Sequence, residues 1–387
     1  MKKHIAIAIG LAVVSGSAFA TKARLEALGE DKNGSQFLSD NRNVFLNAAH
    51  LNYHKDLVTY EWGETNQTGA LGDTDATTQP HAEGGVFKSN GNMVYGIYLG
   101  GESDISNSWR AASGSAATKA SLQTEHDVLD VFVGGDAGVQ WGANITYSAS
   151  KDEVGAEKEQ SLLRARLGVI SGDVEGFANI GISNKSEAKA TGTETDDTEF
   201  NGKGSYDVGV SYNMNDVTAM VRYSTAQAEE KESETDFKYV RQQVGVAKTY
   251  KLNEKATMWV NAWYKMEEAE NHSTADGVFS GTGEEKATRM PVGIAVEVMA
   301  REWLALRGSV SQNVLFSEKE NDDGDKSPIK NTTSVKAGAS LLFGDLSVDG
   351  MIGNTDDGGV TDSDTGSENG TLRTDSLMSR VSLTYRF

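Results

Sequence analysis

The chain has 387 residues, a formal net charge of −20, 38% hydrophobic residues, 42 glycines, three prolines and no cysteine. Such a balance excludes a polytopic helical membrane protein, and the missing cysteine excludes a disulfide scaffold, thiol catalysis and Cys-based zinc sites. An acidic chain with no compensating basic patch is also not expected to take nucleic acid as a partner, because phosphates demand a basic surface.

In chain order, Lys2 and Lys3 precede an apolar run from Ile5 to Val14 and the triplet Ala18-Phe19-Ala20. This pattern predicts a secretory signal peptide over 1–20, cleaved before Thr21, since the run is only half of the about 20 residues a helical span needs. Loss of Lys2 and Lys3 takes the charge from −20 to −22. No later apolar run is long enough to span as a helix, so the surviving classes are a soluble exported protein and a membrane protein that crosses with strands.

The segment 21–56 stands apart from the rest of the mature chain. Residues 21–28 are mostly helix formers with Gly29 as a plausible stop, and Phe37, Leu38, Val44, Phe45 and Leu46 are too apolar for a disordered tail. Two placements are open for it: inside a barrel or across its periplasmic mouth, where it would narrow a pore, and a periplasmic extension or extra early strand. His50 and His54 are four apart, a spacing that suits metal on a helical face, but no flanking carboxylate motif accompanies them and no metal site is expected.

From Leu57 to Phe387 the pattern is period two. Val139, Trp141, Ala143, Ile145 and Tyr147 alternate with Gln140, Gly142, Asn144 and Thr146, and the same holds for Val217, Ala219, Val221, Tyr223 and for Met290, Val292, Ile294, Val296, Val298. Sixteen strands are predicted, near 57–63, 83–89, 92–100, 128–134, 137–149, 160–171, 173–184, 203–213, 215–226, 237–251, 254–267, 288–299, 301–316, 332–343, 345–353 and 376–387. Short turns at Asn90-Gly91, Gly135-Asp136, Gly172-Asp173, 213–215, Leu252-Asn253, Ala300-Arg301 and Gly344-Asp345 alternate with long polar loops near 64–82, 101–127, 150–159, 185–202, 227–236, 268–287, 317–331 and 354–375.

Strict alternation of turn and loop describes an all-β, up-and-down antiparallel barrel over 57–387, with turns at the periplasmic end and loops at the extracellular end. Nearly all the net negative charge falls in the long loops, which reads first as solvated surface that resists aggregation. The 101–127 loop carries Ile105, Trp109, Ala111, Ala112 and Leu122, apolar enough to fold inward or to latch a neighbouring subunit.

The last strand places Leu377, Val381, Leu383, Tyr385 and Phe387 on one face and Arg380, Ser382, Thr384 and Arg386 on the other, Ser379 being the one polar residue in the apolar row. This ending resembles the C-terminal strand of bacterial outer-membrane β-barrel proteins, and the size and strand number resemble the porin type. The resemblance implies that Tyr385 and Phe387 help the outer-membrane assembly machinery recognise the chain. It implies too a Gram-negative outer-membrane location among lipids and lipopolysaccharide, with a homotrimer as the usual assembly. The third loop, 150–159, departs from the general porins of enteric bacteria, because it is short and lacks their acidic, glycine-containing signature.

With the apolar face toward lipid, the other face lines the lumen. That face carries Arg164, Arg166, Arg222, Arg241, Arg307, Lys336, Arg380 and Arg386 as basic candidates and Asp130, Glu175, Asp207, Glu297 and Asp349 as acidic ones. They would either create a transverse field across a pore or pair and brace the wall. Catalysis is not expected: a barrel lipase needs Ser and His on the lipid side, while His81, His126 and His272 sit in loops where acidic neighbours arise by chance. Asp362, Asp364, Gly366 and Glu368 fail the full calcium-loop spacing. The expectation is a water-filled channel for passive diffusion of small hydrophilic solutes and ions, without cofactor and with modest cation preference from the acidic mouth. Its alternative is a structural or adhesive barrel with a plugged lumen.

Overall fold

The structure, a computed structural model, describes residues 21–63, 82–101, 104–113, 119–125, 127–153, 157–192, 196–272, 278–281, 283–329, 332–358 and 380–387. Residues 1–20, predicted as a signal peptide, His81, His126, the 362–368 acidic run and residues 376–379 of the last predicted strand lie outside them. In chain order the strands are β1 (Leu57–Trp62), β2 (Ala82–Asn90), β3 (Met93–Leu99), β4 (Leu129–Asp136), β5 (Gln140–Asp152), β6 (Lys158–Ser171), β7 (Val174–Ala188) and β8 (Thr198–Met214). They continue as β9 (Val217–Glu230), β10 (Thr235–Asn253), β11 (Ala256–Glu270), β12 (Glu284–Arg301), β13 (Leu304–Glu320), β14 (Lys326–Pro328), β15 (Thr332–Phe343), β16 (Leu346–Gly358) and β17 (Val381–Arg386).

Sixteen of these form a closed antiparallel barrel, each beside its neighbour in sequence. Closure is made by β1 and β17, in register from Leu57 opposite Arg386 to Trp62 opposite Val381. The three-residue β14 lies outside the barrel count, pairing with the loop end of β13. It escapes sequence prediction because three residues, one of them proline, carry no readable alternation.

Alternation fixes the two faces. On β1, Tyr60 is 55% and Trp62 39% exposed, while Thr59 and Glu61 between and beside them are 2% and 1% exposed. The same outward row holds Ile97, Ile145, Val210, Val221 and Val244, so the barrel presents an apolar belt outside and polar side chains inside.

The turns at Gly172-Asp173 and Gly344-Asp345 fall where predicted, and the other five shift by one to three residues. The β12–β13 turn is Glu302-Trp303 rather than Ala300-Arg301, the β8–β9 turn is Asn215-Asp216, β10 runs on through Asn253, and β4 runs on through Asp136. Strands extend past the membrane-facing stretch because backbone pairing continues as long as both partners remain extended, whatever their side chains. The 101–127 loop contains a helix, α2 (Asp104–Ser113), missed in the sequence because Asp, Ser and Asn dominate its first half and favour turns.

Candidate functional site: the barrel interior

The segment before β1 begins with a helix, α1 (Lys22–Ala27), capped by the Thr21 hydroxyl, which accepts from the Arg24 N–H. It ends as Gly29 suggested. Gly29 has a φ of 77°, its N–H donates to the Glu26 carbonyl, and the Glu30 N–H donates to the Leu25 carbonyl, which closes the helix with a paired terminal turn. Two 3-10 turns come next, Asn41–Phe45 capped by Asp40 and Ala48–Asn52 capped by Asn47.

This segment packs against inward-facing residues nearly all the way round the barrel. Leu25, Leu28 and Leu38 bury themselves against Ala295 of β12 with Trp259 of β11 alongside, worth about 2 kcal/mol for each leucine. Phe37 packs on Met220 of β9, Ala247 of β10 and the Trp263 ring, 4.7 Å away. On the opposite wall Phe45 meets Tyr98 of β3 and Phe132 of β4 at 4.8 and 5.6 Å, ring to ring. Between them, the Asn179 amide of β7 donates to the Leu46 carbonyl at 3.1 Å, and Asn52 donates to the Trp141 carbonyl at 3.1 Å.

The closest approach is to β5 and β6. A Cβ on Gly142 would lie 2.1 Å from the Ala48 carbonyl oxygen, and one on Gly168 would lie 1.9 Å from the Asn47 side chain. Both glycines lie within four residues of the short-turn ends of their strands, as do Met220 and Glu297. The segment therefore occupies the short-turn half of the lumen.

Ion pairs lock it there. Arg24 grips Glu297 with Nε at 2.9 Å and Nη2 at 3.1 Å, while its Nη1 reaches Asp40 at 3.1 Å. Arg42 reaches Glu83 at 3.1 Å and Glu61 at 3.6 Å, and its guanidinium lies 4.1 Å from the Phe45 ring. Lys22 pairs with Glu83 at 2.5 Å, Glu26 with Arg380 at 2.7 Å, and Glu30 accepts from Asn261 at 2.8 Å. Every one of these charges but Glu30, which meets only neutral donors, is buried and paired, the arrangement that makes removing one partner costly.

The charges predicted to line the lumen fall on the inward rows, and most are paired. Arg166 donates to Asp130 and Thr146, each at 2.7 Å, and Arg164 to Glu125 at 2.5 Å. Arg222 holds Asp207 with two bonds of 2.7 and 2.9 Å. Arg307 meets Asp349 at 2.9 Å and Glu297 at 3.1 Å, and Glu175 takes His50 at 2.8 Å. Lys336 is half-buried on the β15 inward row, and Arg386 ends the inward row of β17.

Arg241, like Lys336, makes no hydrogen bond or ion pair among the described residues, and its buried Nε has no partner. Glu61, Glu83, Glu125 and Glu267 are buried, ion-paired carboxylates that sequence reading missed. For Glu61 the signal was present, since it shares a row with Leu57 and Thr59, opposite the outward Tyr60 and Trp62. His50 and His54 stack with ring centroids 6.3 Å apart, His50 being turned to Glu175.

The long-loop half carries a second obstruction. Trp109 of α2, Phe200, Phe237, Tyr239, Val278 and Phe279 form one buried apolar cluster, with Ile105 and Leu122 against it. The Trp109 indole N–H donates to His272 at 2.9 Å, and the fully buried Arg110 donates to the Asn184 side chain. At the opposite end, the Asp56 carboxyl is held down to about 2 by the Ser89 hydroxyl and by Lys88, whose ammonium also lies 4.8 Å from the Phe387 ring.

A closed antiparallel barrel with an apolar outer belt and polar, charged residues within is a transmembrane β-barrel of the bacterial outer-membrane type. No protein-family model matches the sequence, and no curated protein does. Among solved structures, the chain is similar to a loop-deletion form of OmpT, an outer membrane protein of Vibrio cholerae (15% identity, 73% of this chain and 96% of that one, TM-score 0.36). It is likewise similar to a Pseudomonas aeruginosa FadL homologue (10% identity, 95% and 98% covered, TM-score 0.40) and to a BamA from Haemophilus ducreyi (8%, 86% and 71%, TM-score 0.44). These likenesses do not bear on what this chain does.

Proposed function

We propose that the protein is a non-enzymatic outer-membrane channel of narrow bore for small hydrophilic solutes, constricted by its own N-terminal segment. The observation that carries this reading is the set of buried ion pairs from Arg24, Arg42 and Lys22 to the inward carboxylates of β1, β2 and β12. A chain that invests buried charge in seating a segment inside its lumen sets the width of that lumen through the segment. Tyr385 and Phe387, 45% and 54% exposed on the outer row, fit the role of an assembly signal.

A second reading, a structural barrel with a plugged lumen, is favoured by one feature. Thr59, Asp130, Thr146 and Asp349 of the inner wall are 2% exposed or less, where an open aqueous pore would wet them. Planar-bilayer recording separates the two. The channel reading expects small steps from the mature protein and larger ones after deletion of 21–52. A deletion form that folds yet carries no current, alongside a silent parent, would leave the structural barrel standing.

A further inference from the structure

Against α2 lies a cavity of about 220 Å³, walled by β6 to β10. One side of it is cationic. Arg164, Arg166, Arg222 and Arg241 all line it, against one lining carboxylate, Asp207.

The pairing decides how much of that charge is available. Asp207 is used by Arg222, while Glu125 and Asp130, outside the lining, serve Arg164 and Arg166. Arg241 has none of these. Its register partner across the β10–β11 pair is Glu267, but that carboxylate is taken by Arg289 at 2.6 Å and by the Tyr239 hydroxyl at 2.7 Å. Lys265, half-buried on the inward row of β11, adds a further cation on that side. Among the described residues, Arg241 is thus the one guanidinium of the cavity without a hydrogen-bond or ion-pair partner, and a free guanidinium matches an oxyanion with two oxygens.

The other side of the cavity is apolar, with Ile105, Trp109, Ala226 and Ala228 in its lining. An inorganic anion would leave that surface unused. A cationic side facing an apolar side fits a ligand with a charged end and an apolar body.

We propose that this cavity is a binding site for a small organic monocarboxylate, its carboxylate on Arg241 and its apolar body against Trp109 and Ile105. The proposal stands on the barrel interior and does not depend on conduction, so a binding measurement tests it apart from the channel reading.

The test is calorimetric titration of the folded full-length mature protein in micelles at low salt with benzoate, benzylamine and inorganic phosphate. Saturable benzoate binding, absent or far weaker for the other two, is expected. Arg241→Gln should weaken benzoate binding about tenfold or more, the scale of a charge-assisted hydrogen bond. Arg241→Lys should recover part of it, and Lys336→Gln, which removes an inward charge outside the cavity lining, should leave it unchanged. Absence of benzoate binding, equal binding of benzylamine or phosphate, an unchanged Arg241→Gln, or an equal loss in Lys336→Gln would each overturn the proposal. The three-ligand comparison on the parent protein decides the matter even where a variant does not fold.

Discussion

At the scale of single residues, Arg24 concentrates the most consequence. It is 3% exposed and engages Glu297, Asp40 and the Ser39 carbonyl at once. Arg24→Met keeps the bulk of the side chain but strips two buried carboxylates of a partner, and Arg307 can still serve only Glu297. We expect the seated segment to lose about 3 kcal/mol, which shifts a seated-to-released ratio by about a hundredfold. Single-channel recording reads that as long dwells in a wider substate, and traces indistinguishable from the parent would show that Arg24 does not hold the segment. The pairing of Arg24 with Glu297 spans 273 positions, which explains why sequence reading placed Glu297 on the lumen wall without finding its partner. Alternation tells which way a strand residue points; it says nothing about which distant charge comes to meet it.

Elements differ in how much of them the sequence reveals. The strands were legible because each must satisfy lipid on one side, and period two survives across β5, β9 and β12 almost without exception. Helix α2 was not, because a ten-residue helix whose first half is poor formers owes its existence to Trp109 and Arg110, whose burial depends on the wall around them. The inward glycines show the same dependence. Gly142 and Gly168 read as small residues on a polar row, and only the fold reveals that the 47–49 backbone lies against them. Gly142→Ala should therefore displace the second 3-10 turn while leaving β5 paired, since the added methyl projects toward the lumen. Conductance should rise with unchanged far-ultraviolet circular dichroism. Gly176→Ala is the control, because its nearest neighbour would be Val169 at an ordinary 3.6 Å, and it should change nothing. A Gly142→Ala protein with parental conductance would mean that the turn relaxes in place.

At the scale of the whole molecule, the barrel holds two obstructions, one in each half. The N-terminal segment fills the short-turn half, and the cluster around Trp109 and Phe279 sits in the long-loop half. Obstructions along one path act as resistances in series, so relieving either alone leaves the other to limit the current. Deletion of 21–52 and the pair Trp109→Ala with Phe279→Ala are expected to give modest increases separately and more than their sum together. Distant, uncoupled sites would instead add. If the deletion alone gave the full conductance of the combined form, the apolar cluster would lie beside the conduction path rather than across it. If the loop changes alone did so, the N-terminal segment would be a brace for the wall, its ion pairs serving the barrel's stability and not its bore.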